Sequence, residues 1–174
     1  MHKPRLYVAL YARGNSQPDG EVYHWALIVG PKEELQGSLG GRYHVKNAID
    51  GTGNPYWYYQ RVEIPVQPTS TLLVRITVAK VADQEKLEQT LENVPLIQNE
   101  PNWNCRVWIR DALAALEADE RSLGTKKTDW QIVEHIANWY VQHKKDQHRF
   151  DGQVQWDMAK APTYNLLEDR ETIP

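Results

Sequence analysis

The chain has 174 residues, of which 41% are hydrophobic and 25% charged, and its formal net charge is −3. This composition excludes an intrinsically disordered chain, and the length is typical of one globular domain. Acidic and basic residues are interspersed, so no basic face for nucleic acid is expected, and no apolar run is long enough to span a membrane.

Strand patterns fill the first half of the chain. Runs rich in β-branched and aromatic residues, separated by Gly, Pro and Asn, predict five strands. Their predicted bounds are residues 6–11, 22–29, 42–46, 61–64 and 72–81. The second run is apolar on both faces, which indicates a central strand. Residues 37–41 are expected to form a loop, and the aromatic residues 56–59 lead into the fourth strand.

After residue 82 the apolar residues recur at helical spacing. Asp83 is a suitable cap for a first helix, which Pro95 ends. A second helix is predicted over about residues 105–116, and a third begins at a capping box formed by Thr128 and Gln131. The expected apolar face of the third helix comprises Ile132, Val133, Ile136, Tyr140 and Val141.

A block of strands followed by a block of helices predicts an α+β fold, with an antiparallel sheet of about five strands covered on one face by helices. We expect a single domain, residues 1–174. The sheet is expected in about residues 5–82, the helices in about 83–145, and an irregular tail, anchored by Trp156, in 146–174.

The only cysteine, Cys105, lies in the run Asn102-Trp103-Asn104-Cys105 at the predicted start of the second helix. A cysteine attacks as its thiolate, and the N–H groups and partial positive charge of a helix start favour an anion. Cys105 is therefore the candidate nucleophile, and Asn104 or Asn102 is the expected cap.

Of the six histidines, His24 differs in lying within an apolar strand. Burial of an imidazole costs free energy unless the ring has a hydrogen-bond partner. His44, on the next strand, would lie beside His24 across an antiparallel pair. His44 also shares an alternating face with two basic residues, so an exposed histidine is the alternative. Asn47 and Asp50 are the alternative partners for His24.

The aromatic composition is skewed toward Trp and Tyr, with seven and nine residues against one Phe. These side chains combine an apolar ring with a polar group, which suits cleft walls as well as packing. The candidate substrate-binding residues are those that flank the candidate catalytic residues in sequence: Trp25, Trp103, Asn104 and Trp108.

Three segments together resemble the circularly permuted papain-like proteins, and most of all the lecithin–retinol acyltransferase-like group. The segments are His24-Trp25-Ala26-Leu27-Ile28-Val29-Gly30, Tyr43-His44 on the next strand, and Asn104-Cys105 followed by Trp108 at a helix start. This resemblance covers about residues 7–116. The whole chain also resembles a large set of uncharacterised fungal proteins with the same Tyr-His-Trp-Ala and Asn-Trp-Asn-Cys elements.

The resemblance implies a permuted papain-like fold in which Cys105 is the nucleophile, His24 the base and His44 the residue that orients His24. It implies an acyl-cysteine intermediate whose acyl group passes to water, an amine or a hydroxyl. Three features depart from the group. Trp108 stands where the group has Phe, and the interval between His24 and His44 is long. The group's C-terminal membrane helix has no counterpart, which argues against a lipid substrate.

The sequence thus predicts a cysteine-dependent hydrolase or acyl/peptidyl transferase that acts on a small-molecule or peptide substrate. No metal-ligand spacing is present, so neither a metal nor another cofactor is expected. Two alternatives stay open: a non-catalytic binding module for a small molecule or peptide, and a biosynthetic enzyme that uses acid/base chemistry without an acyl-enzyme. A single cysteine and an N-terminus without an apolar signal stretch predict a cytoplasmic protein of open oligomeric state.

Overall fold

The computed structural model describes residues 2–14 and 20–174. The strands within these residues are β1 (Arg5–Ala12), β2 (Tyr23–Gly30), β3 (Leu39–Ile49), β4 (Pro55–Pro65), β5 (Leu72–Val81), β6 (Leu123–Lys126), β7 (Thr163–Asn165) and β8 (Arg170–Ile173). The helices are α1 (Gln84–Glu92), α2 (Cys105–Asp119) and α3 (Trp130–Asp146). The described chain therefore has the mixed α+β character that the sequence predicts.

The strands form one sheet in the order β4-β3-β2-β1-β5-β7-β8, and β6 pairs separately with β5. The paired strands are antiparallel except β5 and β7, which are parallel. All five predicted strands are present. The loop expected at residues 37–41 is partly strand, since β3 begins at Leu39. Gly40 permits the close approach, because a Cβ there would lie 2.6 Å from the carbonyl oxygen of Val29.

The last segment of the chain is only partly the irregular tail that the sequence predicts, because it contains the two short strands β7 and β8. β7 pairs with β5, and β8 turns back to pair with β7. Strands of three and four residues are too short to show an alternating pattern, so the sequence gives no signal for them. β6, with four residues, escaped prediction for the same reason.

The helices cover one face of the sheet, and the main hydrophobic core lies between the two layers. There α2 packs against β2 and β3, while α3 packs against β5. A smaller apolar cluster lies on the opposite face and includes Tyr7 and Tyr11 of β1 and Ala26 and Ile28 of β2. Because side chains alternate along a strand, His24 shares the register of the smaller cluster and Trp25 that of the main core.

The start of α2 places the cysteine. Asn104 is the N-cap, and its Oδ1 accepts a hydrogen bond of 3.2 Å from the backbone N–H of Val107. A side-chain oxygen at this position stabilises a helix start because it satisfies one of the first unpaired N–H groups. Cys105 is consequently the first residue of α2, as the sequence predicts.

The start of α3 differs from its prediction by one residue. Asp129, rather than Thr128, is the N-cap and accepts from the backbone N–H of Ile132. The hydroxyl of Thr128 instead donates to the carboxylate of Glu117 on α2. Ile132, expected in the core, is 52% exposed, and Ala137 takes a core position on the same helix.

The sheet divides at the end that carries the two strand histidines. β2 and β3 pair over three positions, from Leu27 opposite Tyr43 to Val29 opposite Gly41. Beyond them, β2 stays paired with β1 as far as His24 and Tyr23, while β3 stays paired with β4 to its end. The two halves of the sheet therefore separate here and leave room for side chains between them.

The C-terminal strands are tied to α3 by a buried cation, which yields a test of the fold. Lys144 is fully buried, and its Nζ lies 2.7 Å from Glu171 Oε2, a carboxylate that also accepts from Tyr140. Glu171→Ala would leave the ammonium group uncompensated and should lower the free energy of unfolding by about 3 kcal/mol in urea denaturation.

Glu168→Ala is the matched control on the same hairpin. Glu168 pairs with the exposed Arg170, and exposed ion pairs contribute less than about 1 kcal/mol. Equal losses of stability in the two variants would contradict the assignment of the buried pair.

Candidate functional site

Two histidines meet in the gap between the halves of the sheet. His24 Nε2 on β2 lies 2.6 Å from His44 Nδ1 on β3, and their rings are arranged edge to face. His44 is 2% exposed, so the alternative of an exposed histidine is wrong. The structure therefore brings together the two histidines that the sequence proposed as neighbours.

Gln60 extends this pair to a third strand. Its Oε1 lies 2.9 Å from His44 Nε2, and Gln60 of β4 stands directly opposite His44 in the strand register. Sequence reasoning missed Gln60, because only the register of β3 against β4 identifies it. Asp50, one alternative partner for His24, instead accepts hydrogen bonds from Thr52 and Asn54 within its own turn.

The hydrogen-bond chain fixes where the protons lie. An amide oxygen accepts only, so His44 must donate from Nε2 to Gln60. A neutral His44 then presents an unprotonated Nδ1, which accepts from His24 Nε2. His24 in turn keeps its proton on Nε2, and its Nδ1 is the unprotonated, basic nitrogen.

Both rings are held in the neutral form. Burial lowers the pKa of His24 to about 3, aided by His44 when that ring is protonated and by the positive charges of Arg13, Arg42 and Lys46. Burial lowers the pKa of His44 to about 4, although its hydrogen bond to Gln60 opposes the shift.

Because both pKa values are lowered on folding, the unfolded chain binds protons at higher pH than the folded chain does. The free energy of unfolding should fall as the pH drops from about 6.5 towards 4.

Cys105 borders the same cavity as the two histidines. The cavity has a volume of about 350 Å³, and Cys105, His24 and His44 all contribute to its wall. Cys105 is 1% exposed, and its Sγ lies 3.9 Å from the backbone oxygen of Tyr23. The first turn of α2 and the ends of β2 and β3 thus converge on one space.

The aromatic residues proposed for substrate binding are core residues instead. Trp25 and Trp108 are fully buried, Trp103 is 5% exposed, and none of them lines this cavity. Large aromatic rings bury most surface when they pack inside the core. These three rings lie in the main core between the sheet and the helices. Asn104 is the cap of α2. The aromatic side chains that do line the cavity are Tyr11 of β1 and Trp57, the latter from the run at residues 56–59.

No group of three or more His, Cys, Asp or Glu side chains is arranged to hold a metal ion within residues 2–14 and 20–174. In the same part of the chain, no helix combines the length and the apolar character needed to cross a bilayer.

A family model matches residues 3–173. The chain belongs to DUF6914, a family of unknown function. No curated protein and no solved structure matches the chain. Since the DUF6914 model spans nearly the whole chain, the split sheet and the start of α2 both lie within the region that defines the family.

The proton positions lead to a spectroscopic prediction. At pH 7, His24 and His44 should both be neutral and protonated on Nε2, and neither should titrate above about pH 5, because burial lowers both pKa values. ¹⁵N-correlated NMR of the labelled protein, with signals assigned through His24→Gln and His44→Gln, measures both properties. An Nδ1–H form of either ring at pH 7 would contradict the hydrogen-bond direction.

Gln60 is a positioning residue at the end of the hydrogen-bond chain opposite His24, and its replacement tests that chain. In Gln60→Leu the buried Nε2–H of His44 loses its acceptor, at a cost of about 1–3 kcal/mol. His44 should then populate the Nδ1–H form, and His24 should shift to match. Gln60→Glu keeps an acceptor and should preserve both tautomers while it raises the pKa of His44.

Gln89→Leu, on the exposed face of α1, is the matched control. NMR should show the tautomer change in Gln60→Leu alone, with circular dichroism unchanged in all three variants. Unaltered histidine signals in Gln60→Leu would refute the positioning role.

Proposed function

We propose that this protein is a cysteine-dependent hydrolase or acyl/peptidyl transferase on a permuted papain-like fold. Cys105 is the nucleophile, His24 the base and His44 the residue that orients His24. The observation that carries the proposal is the convergence of these three side chains on one cavity, with a hydrogen-bond chain that leaves Nδ1 of His24 unprotonated. A nucleophile, a base and an orienting group form the recurring arrangement of covalent catalysis.

In the proposed reaction, His24 Nδ1 takes the proton of the Cys105 thiol as sulfur attacks the carbonyl carbon of the substrate. The C–S bond forms, and the carbonyl electron pair moves to oxygen. When the oxyanion collapses, the leaving group departs with the proton from His24, and an acyl-cysteine remains. Water, an amine or a hydroxyl then attacks the acyl group and restores the thiol.

The low pKa of His24 determines how the proton moves. With a pKa of about 3, the imidazolium form is unfavourable in the empty site. A preformed thiolate–imidazolium pair is therefore disfavoured, and proton transfer accompanies the attack. His44 and Gln60 support this step because they hold His24 Nε2–H and so keep Nδ1 available.

The start of α2 supplies the second element of the proposed mechanism. The backbone N–H of Cys105 lies in the first turn, where N–H groups point out of the helix and its partial positive charge is concentrated. Such donors stabilise an oxyanion that develops next to the attacking sulfur. Asn104 holds this turn in place through its bond to Val107.

A non-catalytic binding module is the second candidate. The observation that favours it is the burial of Cys105, which is 1% exposed, because a buried cysteine often serves only as a small apolar group. In that case the cavity would hold its ligand without covalent chemistry, and the histidine pair would be a satisfied polar element of the core.

Alkylation by iodoacetamide distinguishes the two candidates. Cys105 is the only cysteine, so the mass of the intact protein reports its modification directly. If it is the nucleophile, we expect it to react at least about tenfold faster than N-acetylcysteine at pH 7. His24→Gln should slow the reaction about 100-fold, since a general base contributes roughly 10²–10⁴-fold.

His135→Gln, on the exposed face of α3, is the control and should leave the rate unchanged. Alkylation of Cys105 no faster than that of N-acetylcysteine would count against the nucleophile and favour the binding module. If a substrate is found and Cys105→Ala retains activity on it, acid/base chemistry by the histidines alone is the better account.

A further inference from the structure

The cavity at Cys105 is lined by positive charge. Arg13, Arg42 and Lys46 all contribute to its wall, and none of the described residues that line it is acidic. The chain as a whole carries a net charge of −3, so the sign of the cavity is opposite to that of the protein. A concave surface lined by one sign of charge concentrates ligands of the other sign.

Acidic residues near this end of the sheet are engaged elsewhere. Glu21 accepts from Arg106 Nε at 3.0 Å and from the indole N–H of Trp25 at 3.2 Å. Asp50 is held within the turn between β3 and β4. Among the described residues, neither carboxylate reaches the cavity wall that Arg42 and Lys46 form.

Arg42 is the best placed of the three cations. It lies on the same strand face as His44, and its guanidinium stands over the ring of Tyr11, 5.4 Å from the centroid. Its Nε is buried and has no hydrogen-bond partner among the described residues, although the guanidinium also forms a side-chain hydrogen bond with Tyr11. Buried N–H donors of a guanidinium are costly to leave unsatisfied, so this position favours an acceptor oxygen.

The cations also act on the base. The charges of Arg13, Arg42 and Lys46 each contribute to the lowered pKa of His24. An imidazolium ion beside Cys105 is therefore unfavourable while the cavity is empty. A negative charge bound within it would offset these cations and favour the proton on His24.

We propose that the site acts on an anionic acyl compound, whose carboxylate or phosphate group binds beside Arg42 and Lys46 while its carbonyl carbon faces Cys105. This inference rests on the function proposed above and names its substrate class. The anion does two things at once. It binds to the cations, and it stabilises the imidazolium that forms when His24 takes the thiol proton. A neutral analogue of the same shape gains neither effect.

Two alkylating reagents of matched size test the charge preference. Iodoacetate and iodoacetamide both alkylate a thiolate with loss of iodide, but iodoacetate carries a negative charge. The quantity to measure is the ratio of their second-order rate constants at Cys105, divided by the same ratio for N-acetylcysteine. We expect this normalised ratio to be about tenfold above one at low salt and to fall towards one as salt is added.

Lys46 provides the informative variants because its side chain is exposed and its replacement leaves the core intact. Lys46→Gln should lower the normalised ratio about threefold, and Lys46→Glu should bring it to about one or below. Lys127→Gln removes an equal charge from an exposed position away from this cavity, and it should leave the ratio unchanged. Arg42→Gln should act in the same direction as Lys46→Gln.

The outcomes separate the two proposals. A ratio above one that falls in the Lys46 variants and not in Lys127→Gln supports an anionic substrate. Rapid alkylation by iodoacetamide with a normalised ratio of one, or a ratio indifferent to Lys46, overturns the substrate class and leaves the cysteine chemistry standing. Slow alkylation by both reagents overturns the proposed function, and the substrate inference falls with it.

Discussion

A hydrogen-bond chain across three strands, from Gln60 through His44 to His24, is the interaction on which the candidate site depends. One end of the chain is an amide oxygen, which can only accept, so the direction of every bond follows from it. The hydrogen-bond chain crosses the point where β2 and β3 have separated, so that side chains link the two strands where their backbone pairing has ended. Buried polar groups in a gap of this kind are stable only when each has a partner, and here a glutamine supplies the last one.

Hydrogen bonds position the two histidines, whereas apolar packing positions the helix that carries the cysteine. Trp25 on β2 and Trp108 on α2 are fully buried within the core between sheet and helices. Residues proposed from sequence as walls of a substrate site thus hold α2 against the sheet, with Cys105 at the end that meets the gap. These rings lie outside the cavity and pack between α2 and the sheet.

The sequence predicted the elements that have a periodic apolar pattern, and it missed the residues whose neighbours depend on strand register. Alternating and helical spacing predicted the first five strands and the start of α2, and the apolar context of His24 identified it as a histidine in need of a partner. Gln60 gave no signal, because its place opposite His44 depends on the turn between β3 and β4. β7 and β8 are too short to show a periodic pattern. The sequence around the Trp residues does not distinguish a position in a cleft wall from one in the core.

The electrostatics of the gap explain why a base with a lowered pKa is compatible with the proposed catalysis. Burial and three neighbouring cations disfavour the imidazolium of His24, so the resting site lacks a preformed thiolate–imidazolium pair and the proton moves to His24 only as the thiol attacks. Negative charge that enters with the substrate, and then develops on the oxyanion, opposes those cations. In the proposed mechanism, proton transfer to His24 is thus coupled to occupancy of the cavity, and selectivity would follow from the same charges that keep the resting base neutral.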